Sequence, residues 1–431
     1  MNPSSAYIAA DFSPSSAPRA AVAPATAVPS VRVNAVVRAG LWLYILSIPF
    51  EIPHRTFPIE VTTATGLIFL LTTLLNPRAC YRRIPAPLLW FAGHLWILAI
   101  AAIFNGVEEI DSVVKHFVSL AQLLLLFWTM SNVLEDPRAL RGFLIAMVIA
   151  CVVRAGIQIL GIGATSHEVW TGGERITALG QNANLSAMIL AAGIITVVGL
   201  YAAHSSWLPR FGVFTWGIAL LMGWATIQTG SRGGLICIAV GLACYLFSGT
   251  TLKARVRNAC LGIAGMAILG IGAMHSSMMR ARLEAAAQQG NLAGREKIYP
   301  AVISMIRERP ILGWGPVENQ FEIGRRIGER KKASRDAHDL VFELVTTSGI
   351  IGAVPFLIGL GLCIAAAWKS RHGAMGYLPV AFMATILFGC IDGTWLASKI
   401  LWITLALAIA AARRWSNPAT RTIWSVDPCA G

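Results

Sequence analysis

Arginines beside glycine or asparagine at the ends of apolar runs are the side chains of this chain best suited to chemistry. Arg232 lies in TGSRGG, between two apolar runs, with glycines on both sides. Glycine lets a backbone approach a ligand closely. A charge beside long apolar runs is costly, which makes Arg232 a functional candidate, although a tight turn with a snorkelling arginine explains the same pattern.

Arg175 lies in GERITALGQNANLSA, just before another apolar run. Asn182 and Asn184 flank the start of that run, where a side-chain oxygen can cap a helix. Helix capping therefore accounts for one of the two asparagines. Arg175 is the weaker candidate for the cavity that Arg232 would face.

Arg295 precedes a stretch in which apolar residues recur at helical spacing from Ile298 to Ile306. This spacing predicts a short amphipathic helix on the membrane face, ended by Pro310, with a glycine-rich turn after it. A cation is unfavourable in the first turn of a helix, and an anionic ligand there would offset that cost.

His338 and Asp339 stand directly before a long apolar run, and Glu343 lies one helical turn further on. A carboxylate one turn inside an apolar run is not expected to face lipid. Histidine is the usual side chain for proton transfer near neutral pH. An ordinary loop histidine is the competing interpretation.

The composition excludes several classes of protein. Of 431 residues, 56% are hydrophobic and 13% charged, whereas a soluble domain has about a quarter of its residues charged. A soluble enzyme, a disordered regulator and a secreted disulfide scaffold are all excluded. The eight cysteines form no CxxC pair, and no HExxH, GxSxG or Walker A motif is present.

Twelve apolar runs predict an all-α polytopic membrane protein with about 12 transmembrane helices. Their limits are 35–50, 59–75, 86–104, 113–130, 139–162, 183–202, 210–228, 233–248, 256–274, 340–367, 375–391 and 396–412. The predicted organisation is a disordered cytoplasmic tail at 1–33, helices 1–9 at 34–274, a loop on the outer side of the membrane at 275–338, helices 10–12 at 339–413 and a cytoplasmic tail at 414–431.

The positive-inside rule sets this orientation. With the N-terminus inside, 17 lysines and arginines fall in cytoplasmic segments and four in short outer connections. The long segment carries 12 bases against seven acids. The net charge of +14 thus largely reflects the membrane topology, and it does not require nucleic acid as a partner. The excess in the loop fits either a solvated surface or an anionic partner.

The sequence alone does not assign a role to several further polar residues within the apolar runs. They are His94, Lys115, His116, Arg154 and Asp392. Lys115 and Arg154 would pair with carboxylates in the helix bundle or line a substrate path.

The order of these motifs resembles the O-antigen ligase family, which includes Wzy-type polysaccharide polymerases. The matching patterns are R-x-T-x-x-x-x-N-x-N from Arg175, SRGG at Arg232, R…RP-x-L-G-x-G from Arg295 and H-x-L-x-x-E-x-x-x-x-x-G-x-x-G from His338. Each pattern alone is weak, whereas their order and spacing together are specific. The resemblance runs from Arg175 to Gly352.

This resemblance implies a metal-independent, inverting C-type glycosyltransferase in the bacterial inner membrane, with its active site facing the periplasm and no cofactor. The donor would be a glycan on undecaprenyl diphosphate and the acceptor a sugar hydroxyl, on lipid A–core or on another glycan. Arg232, Arg295 and His338 match the catalytic positions. Arg175, Asn184, Asp339 and Glu343 are the predicted substrate-binding residues. The spacing of the residues, rather than the resemblance, suggests that Asp339 or Glu343 sets the tautomer of His338.

One position departs from the family, which commonly has asparagine where this chain has Asp339. An additional carboxylate there would raise the basicity of the histidine or weaken diphosphate binding. The sequence does not separate a ligase from a polymerase. A solute or ion transporter is the main alternative, although no internal repeat is evident. A structural envelope protein with a lipid-binding loop is another.

Overall fold

The computed structural model describes residues 32–51, 60–106, 109–169, 173–202, 212–246, 248, 251–289, 294–328, 334–373, 375–393 and 396–416. The chain folds into α-helices and one β-hairpin within these ranges. The predicted tails at 1–33 and 414–431 lie mostly outside the described residues, as do 290–293 and 329–333 of the predicted loop.

Each of the twelve apolar runs contains a helix. The helices are α1 Ala35–Ser47, α2 Val61–Thr73, α3 Pro77–Cys80, α4 Ala86–Asn105, α5 Ile110–Val133, α6 Pro137–Ile159, α7 Ala183–Ala202, α8 Gly212–Gln228, α9 Arg232–Leu246, α10 Leu252–His275, α11 Ser277–Gln289, α12 Arg295–Glu308, α13 Glu318–Arg326, α14 Leu340–Ser370, α15 Leu378–Ile391 and α16 Lys399–Ser416. The short α3 and the hydrophilic α11, α12 and α13 lie outside the apolar runs.

Six of these helices (α4, α5, α6, α7, α10 and α14) are long and apolar enough to cross a membrane. Several large apolar side chains point outward, among them Trp96, Ile103 and Phe104 on α4, each more than 70% exposed. Such a surface is stable in lipid and not in water. The chain is therefore a polytopic all-α membrane protein. That all twelve apolar helices cross the bilayer remains a prediction, since α2 has only 13 residues.

Aromatic side chains hold the centre of one part of the bundle. Phe91 on α4 lies 5.5 Å from Phe127 on α5, 5.1 Å from Phe356 on α14 and 5.1 Å from Trp402 on α16, measured between ring centroids. Tilted and edge-to-face contacts of this kind favour a fixed arrangement. The most deeply buried long helix, α7, packs against α8, α9 and α15.

An antiparallel hairpin precedes α7. Strands β1, Ala164–Val169, and β2, Gly173–Ala178, pair with Ala164 opposite Ala178 and His167 opposite Arg175. The sequence pattern predicts no strand here. The hairpin fixes the position of Arg175 and leads directly into the start of α7.

The long hydrophilic segment has a small core of its own. Ile298, Val302 and Met305 on α12 are buried together with Ile323 on α13 and Ala337 before α14. The amphipathic helix expected over 298–306 extends over Arg295–Glu308. Its buried apolar side chains are covered by protein, and its placement on the membrane face stays a prediction.

Helix α14 is interrupted at Gly349, where φ is 63° and ψ is −174°. The loop after α12 crosses this break. Trp314 N donates to Thr346 O at 2.7 Å, and Ile350 N donates to Pro310 O at 2.9 Å. The backbone groups that the break releases are thus bonded within the protein, as a membrane interior requires. The glycine at 313 allows this close approach, because a Cβ there would lie 2.6 Å from Thr346 O.

We expect Gly349→Ala to destabilise the protein strongly. A Cβ at 349 would lie 2.0 Å from Ile311 O, and this backbone conformation is almost exclusive to glycine. The expected loss is at least about 3 kcal/mol, the cost of strain plus overpacking. The measurement is the thermal unfolding midpoint in detergent. Gly361→Ala on the same helix is the control, since nothing lies within 4 Å of its added methyl group. Equal midpoints for the two variants would contradict this account.

Candidate functional site

The turn between α8 and α9 is built so that Arg232 becomes the first residue of a helix. Gly230 has a φ of +63°, and the Ser231 hydroxyl accepts a hydrogen bond from Gly234 N at 3.1 Å, which caps α9. Arg232 donates from Nη1 to the carbonyl oxygen of Arg282 at 3.4 Å. The turn therefore places one guanidinium beside a second arginine, from α11.

Arg175 is attached to the same turn. Its Nε donates to Thr229 O at 2.9 Å, and its Nη2 donates to Asn184 Oδ1 at 2.7 Å. The Ser231 hydroxyl donates to the same Asn184 oxygen at 2.9 Å. Asn184 thus connects the hairpin, α7 and α9, whereas Asn182 is the helix cap and accepts from Asn184 N at 2.8 Å.

Asp392, at the C-terminal end of α15, contacts the first residue of α12. Arg295 Nη2 lies 2.8 Å from Asp392 Oδ1 and also donates to the Asp392 carbonyl oxygen. The other carboxylate oxygen rests on Gly233, where an added Cβ would lie 1.9 Å from it. The glycine after Arg232 thus leaves the space that the Asp392 side chain occupies.

Four arginines and one carboxylate form what we call the arginine cluster: Arg175, Arg232, Arg282, Arg295 and Asp392. Burial raises the pKa of the Asp392 carboxyl group, and attraction to Arg295, Arg232 and Arg175 lowers it. Burial, with repulsion from Arg282 and Arg232 and attraction to Asp392, lowers the pKa of Arg175 to about 10, so that Arg175 stays charged at neutral pH. The cluster holds an excess of three positive charges and is suited to bind an anion.

His338 stands beside this cluster, in an uncommon backbone conformation with φ of +52°. Such conformations persist where surrounding contacts impose them, and they concentrate at functional sites. Burial and the charges of Arg295 and Arg335 lower the pKa of His338 to about 4. The imidazole is therefore neutral at pH 7 and able to accept a proton.

The two carboxylates near His338 have other partners. Asp339 Oδ1 accepts from Val341 N at 2.8 Å and Phe342 N at 3.0 Å, and so caps α14. Glu343 is buried and accepts from Asn319 Nδ2 at 2.9 Å and from Ala337 N at 3.3 Å. In this structure both carboxylates hold the backbone around His338 and neither fixes its ring.

The structure brings together predicted residues from distant parts of the chain, and it adds three others. Arg282, Asp392 and Tyr299 were not proposed as site residues from the sequence. Tyr299 packs edge-to-face on Phe342, with ring centroids 5.2 Å apart. Burial raises the pKa of the Tyr299 hydroxyl, and the charges of Arg295, Asp339 and Asp392 also act on it. Asp392 had a signal, a carboxylate at the end of an apolar run, whereas Arg282 lies in a polar helix and had none.

Arg154, predicted to pair with a carboxylate or to line a substrate path, lies in a buried polar network. It donates to Gln181 Oε1 at 2.9 Å, to Ala178 O at 3.1 Å and to Ser186 Oγ at 3.2 Å. These contacts hold the segment between β2 and α7. Arg154 is therefore not part of the arginine cluster. It stabilises the segment that follows Arg175.

Residues 217–357 match a family model described as Wzy_C, O-antigen ligase. This range contains Arg232, Arg282, Arg295 and His338, whereas Arg175 and Asp392 lie outside it. The family resemblance inferred from the sequence is confirmed. No curated protein matches the chain.

We expect Gly233→Ala to act through Asp392. The added methyl group displaces the carboxylate from its place beside α9, and overpacking of this kind costs about 1–3 kcal/mol. Replacing Asp392 with alanine removes the clash, so the double variant Gly233→Ala/Asp392→Ala should unfold at a higher temperature than additivity predicts. Thermal midpoints of the four proteins in the cycle measure this coupling.

Gly217→Ala on α8 is the matched control, because nothing lies within 4 Å of the added group. Its midpoint should stay at that of the parent protein or rise slightly. Additive effects of Gly233→Ala and Asp392→Ala would show that the two residues do not meet as described.

Proposed function

We propose that this chain transfers a glycan from an undecaprenyl diphosphate-linked donor to a sugar hydroxyl at the periplasmic face of the bacterial inner membrane. The Wzy_C match supports a role in O-antigen ligation or polymerisation in the broad sense. The observation that carries the proposed donor and the proposed transfer reaction is the arginine cluster. Four guanidinium groups converge at one end of the helices, next to a neutral histidine.

A diphosphate leaving group explains why so many arginines converge. As the bond between the anomeric carbon and the phosphate oxygen breaks, negative charge grows on the diphosphate. Guanidinium groups stay charged and offer paired donors to phosphate oxygens. Because hydrogen bonds already fix Arg175 and an ion pair fixes Arg295, the positive field is in place before the reaction begins. These charges supply the stabilisation that a metal ion supplies in other transferases.

His338 is the proposed base. The acceptor hydroxyl attacks the anomeric carbon from the face opposite the diphosphate, so the configuration at that carbon inverts. The hydroxyl proton passes to the imidazole, and the bonding electrons of the departing oxygen stay on the lipid diphosphate. A neutral imidazole suits this role.

Other residues of the site receive positioning roles. Arg175 and Asn184 hold the turn that carries Arg232. Asp339 and Glu343 hold the backbone on both sides of His338 through the start of α14. Asp392 holds Arg295 and limits repulsion among the arginines. We propose that Arg232, Arg282 and Arg295 contact the diphosphate.

The transporter alternative draws on the interrupted helix α14, since broken helices often form transport sites. Here, however, the loop at 310–315 occupies the break and bonds to its backbone on both sides. The charged groups gather at the end of the helices. Both observations favour a site at the membrane surface over a site at the midplane.

The test of the function is a set of single variants expressed in a cell that lacks its own copy of this gene. Arg232→Ala, Arg295→Ala and His338→Ala should each reduce transfer by at least about 100-fold, the usual effect of losing one preorganised charge or general base. Arg295→Lys should retain part of the activity, since it keeps the charge and loses the paired donors. The measurement is the profile of surface polysaccharides by gel.

Exposed residues of the same types serve as controls: Arg280→Ala and Arg307→Ala for the arginines, and His275→Ala for the histidine. These variants should transfer normally at equal membrane expression. Loss of capped lipopolysaccharide with intact polymer would identify a ligase, and accumulation of single repeat units would identify a polymerase. Normal polysaccharide in all three site variants would refute the transferase proposal.

The low pKa of His338 predicts an unusual pH profile. His338 must be neutral to accept a proton, so kcat/KM should stay flat from pH 8 to about pH 5 and fall only as the pH approaches about 4. Arg295 and Arg335 are the two charges that depress this pKa. Arg335→Ala should therefore move the fall in kcat/KM to higher pH, toward the ordinary histidine range. An unchanged acid limb in Arg335→Ala would show that another group controls it.

A further inference from the structure

A second group of arginines lies at the opposite end of the helix bundle. Helix α6 starts beside this group at Pro137. Arg154 lies 17 residues further along the same helix and contacts Gln181, near the arginine cluster. At 1.5 Å per residue the two ends are about 25 Å apart. The distal cluster consists of Arg82, Arg83, Arg413 and Arg414, gathered around the turn between α5 and α6.

Glu135 is the centre of the distal cluster. Arg413 Nη1 lies 3.1 Å from Glu135 Oε1, and Arg82 forms an ion pair with the other carboxylate oxygen. Arg414 Nη1 donates to the Glu135 carbonyl oxygen at 2.5 Å. One carboxylate thus organises side chains from the α3–α4 turn and from the end of α16.

The distal cluster carries more positive than negative charge. Arg82 and Arg83 repel Arg413, and Asp136 and Glu135 both attract Arg414. Asp136 is already engaged by two backbone groups, Val33 N at 2.8 Å and Arg138 N at 2.9 Å. Four guanidinium groups therefore face two carboxylates.

The two terminal stretches outside the described residues carry no net side-chain charge. Residues 1–31 contain one arginine and one aspartate, and so do residues 417–431. Arg32 and Arg38 add further positive charge at the start of α1. An external anion is the natural source of the missing negative charge.

The surroundings of the distal cluster are those of a lipid headgroup. Tyr81 and Trp128 meet edge-to-face with ring centroids 5.3 Å apart, and Trp128 Nε1 donates to Arg83 O at 3.0 Å. Such aromatic side chains favour the depth of the headgroups. Close by in the sequence stand four large aliphatic side chains, each more than half exposed: Leu74, Leu75, Ile84 and Leu89.

We propose that the distal cluster binds the phosphate headgroup of an anionic bilayer phospholipid, whose acyl chains lie along the exposed aliphatic side chains just after α2 and around the start of α4. Arg82 and Arg83 are exposed and reach the phosphates, whereas Arg413 and Arg414 are held behind them by Glu135. A lipid with two phosphates, such as a cardiolipin, matches the excess of two positive charges. The site is separate from the arginine cluster.

The test measures cardiolipin binding to the full chain in detergent by native mass spectrometry, with a phosphatidylcholine as the neutral comparison. Each basic residue near a headgroup contributes about fivefold in affinity, so Arg82→Gln/Arg83→Gln should weaken cardiolipin binding by about 25-fold. Arg371→Gln is the matched control. Arg371 is a basic residue directly after α14, and its guanidinium carbon stacks over Trp368 at 4.2 Å from the ring centroid. Its loss should leave cardiolipin binding unchanged.

A second variant should change cardiolipin affinity in the opposite direction. An increase in affinity cannot result from misfolding, so this variant keeps the test valid if the double variant fails to fold. Glu135→Gln removes the internal anion that competes with the lipid and keeps the shape of the side chain, so it should strengthen cardiolipin binding. Retention of cardiolipin by Arg82→Gln/Arg83→Gln within twofold of the parent would overturn the proposal, as would unchanged binding in Glu135→Gln. Displacement of cardiolipin by inorganic pyrophosphate would also overturn it, because the site would then accept a soluble anion without acyl chains.

Discussion

The contact between Arg295 and Asp392 is the interaction on which the candidate site depends. It joins α12, which belongs to the hydrophilic segment, to the end of an apolar helix almost a hundred residues further along the chain. Without a carboxylate at this point, several guanidinium groups would face one another in a partly buried setting, where like charges repel strongly. Gly233 is part of the same constraint, since only a residue without a side chain leaves room for Asp392 against α9.

A membrane protein must also satisfy its backbone wherever a helix is interrupted, and this requirement shapes the other side of the site. The loop at 310–315 bonds to both halves of α14 across Gly349. Asn319, from α13, binds Glu343 and Thr347 on the first half of the same helix. The segment that carries His338 is therefore fixed by α12, α13 and α14 together, which explains how this half-buried histidine can keep a left-handed backbone conformation.

Much of the site could be predicted from the sequence, because charged residues at the ends of apolar runs are rare and conspicuous. Arg232, Arg295 and His338 were found in this way, and so was the helix that begins at Arg295. Asp392 was noticed without a role, since its partner depends on a tertiary contact that no local pattern encodes. The break at Gly349 was missed because the apolar pattern continues across it. The hairpin before α7 was missed because its sequence is polar and irregular, with no alternation of apolar residues.

On the proposed function, the charge of the donor completes both halves of the site. The arginine cluster has an excess of positive charge. Burial, together with the positive charges of Arg295 and Arg335, keeps the pKa of His338 low. A bound diphosphate places negative charge beside Arg295 and offsets its effect on the histidine, so the pKa of His338 rises when the donor arrives. The imidazole becomes a stronger base only when the leaving group is in place. Because a base is most effective when its pKa lies near the working pH, the same electrostatics that bind the donor also prepare the acceptor step.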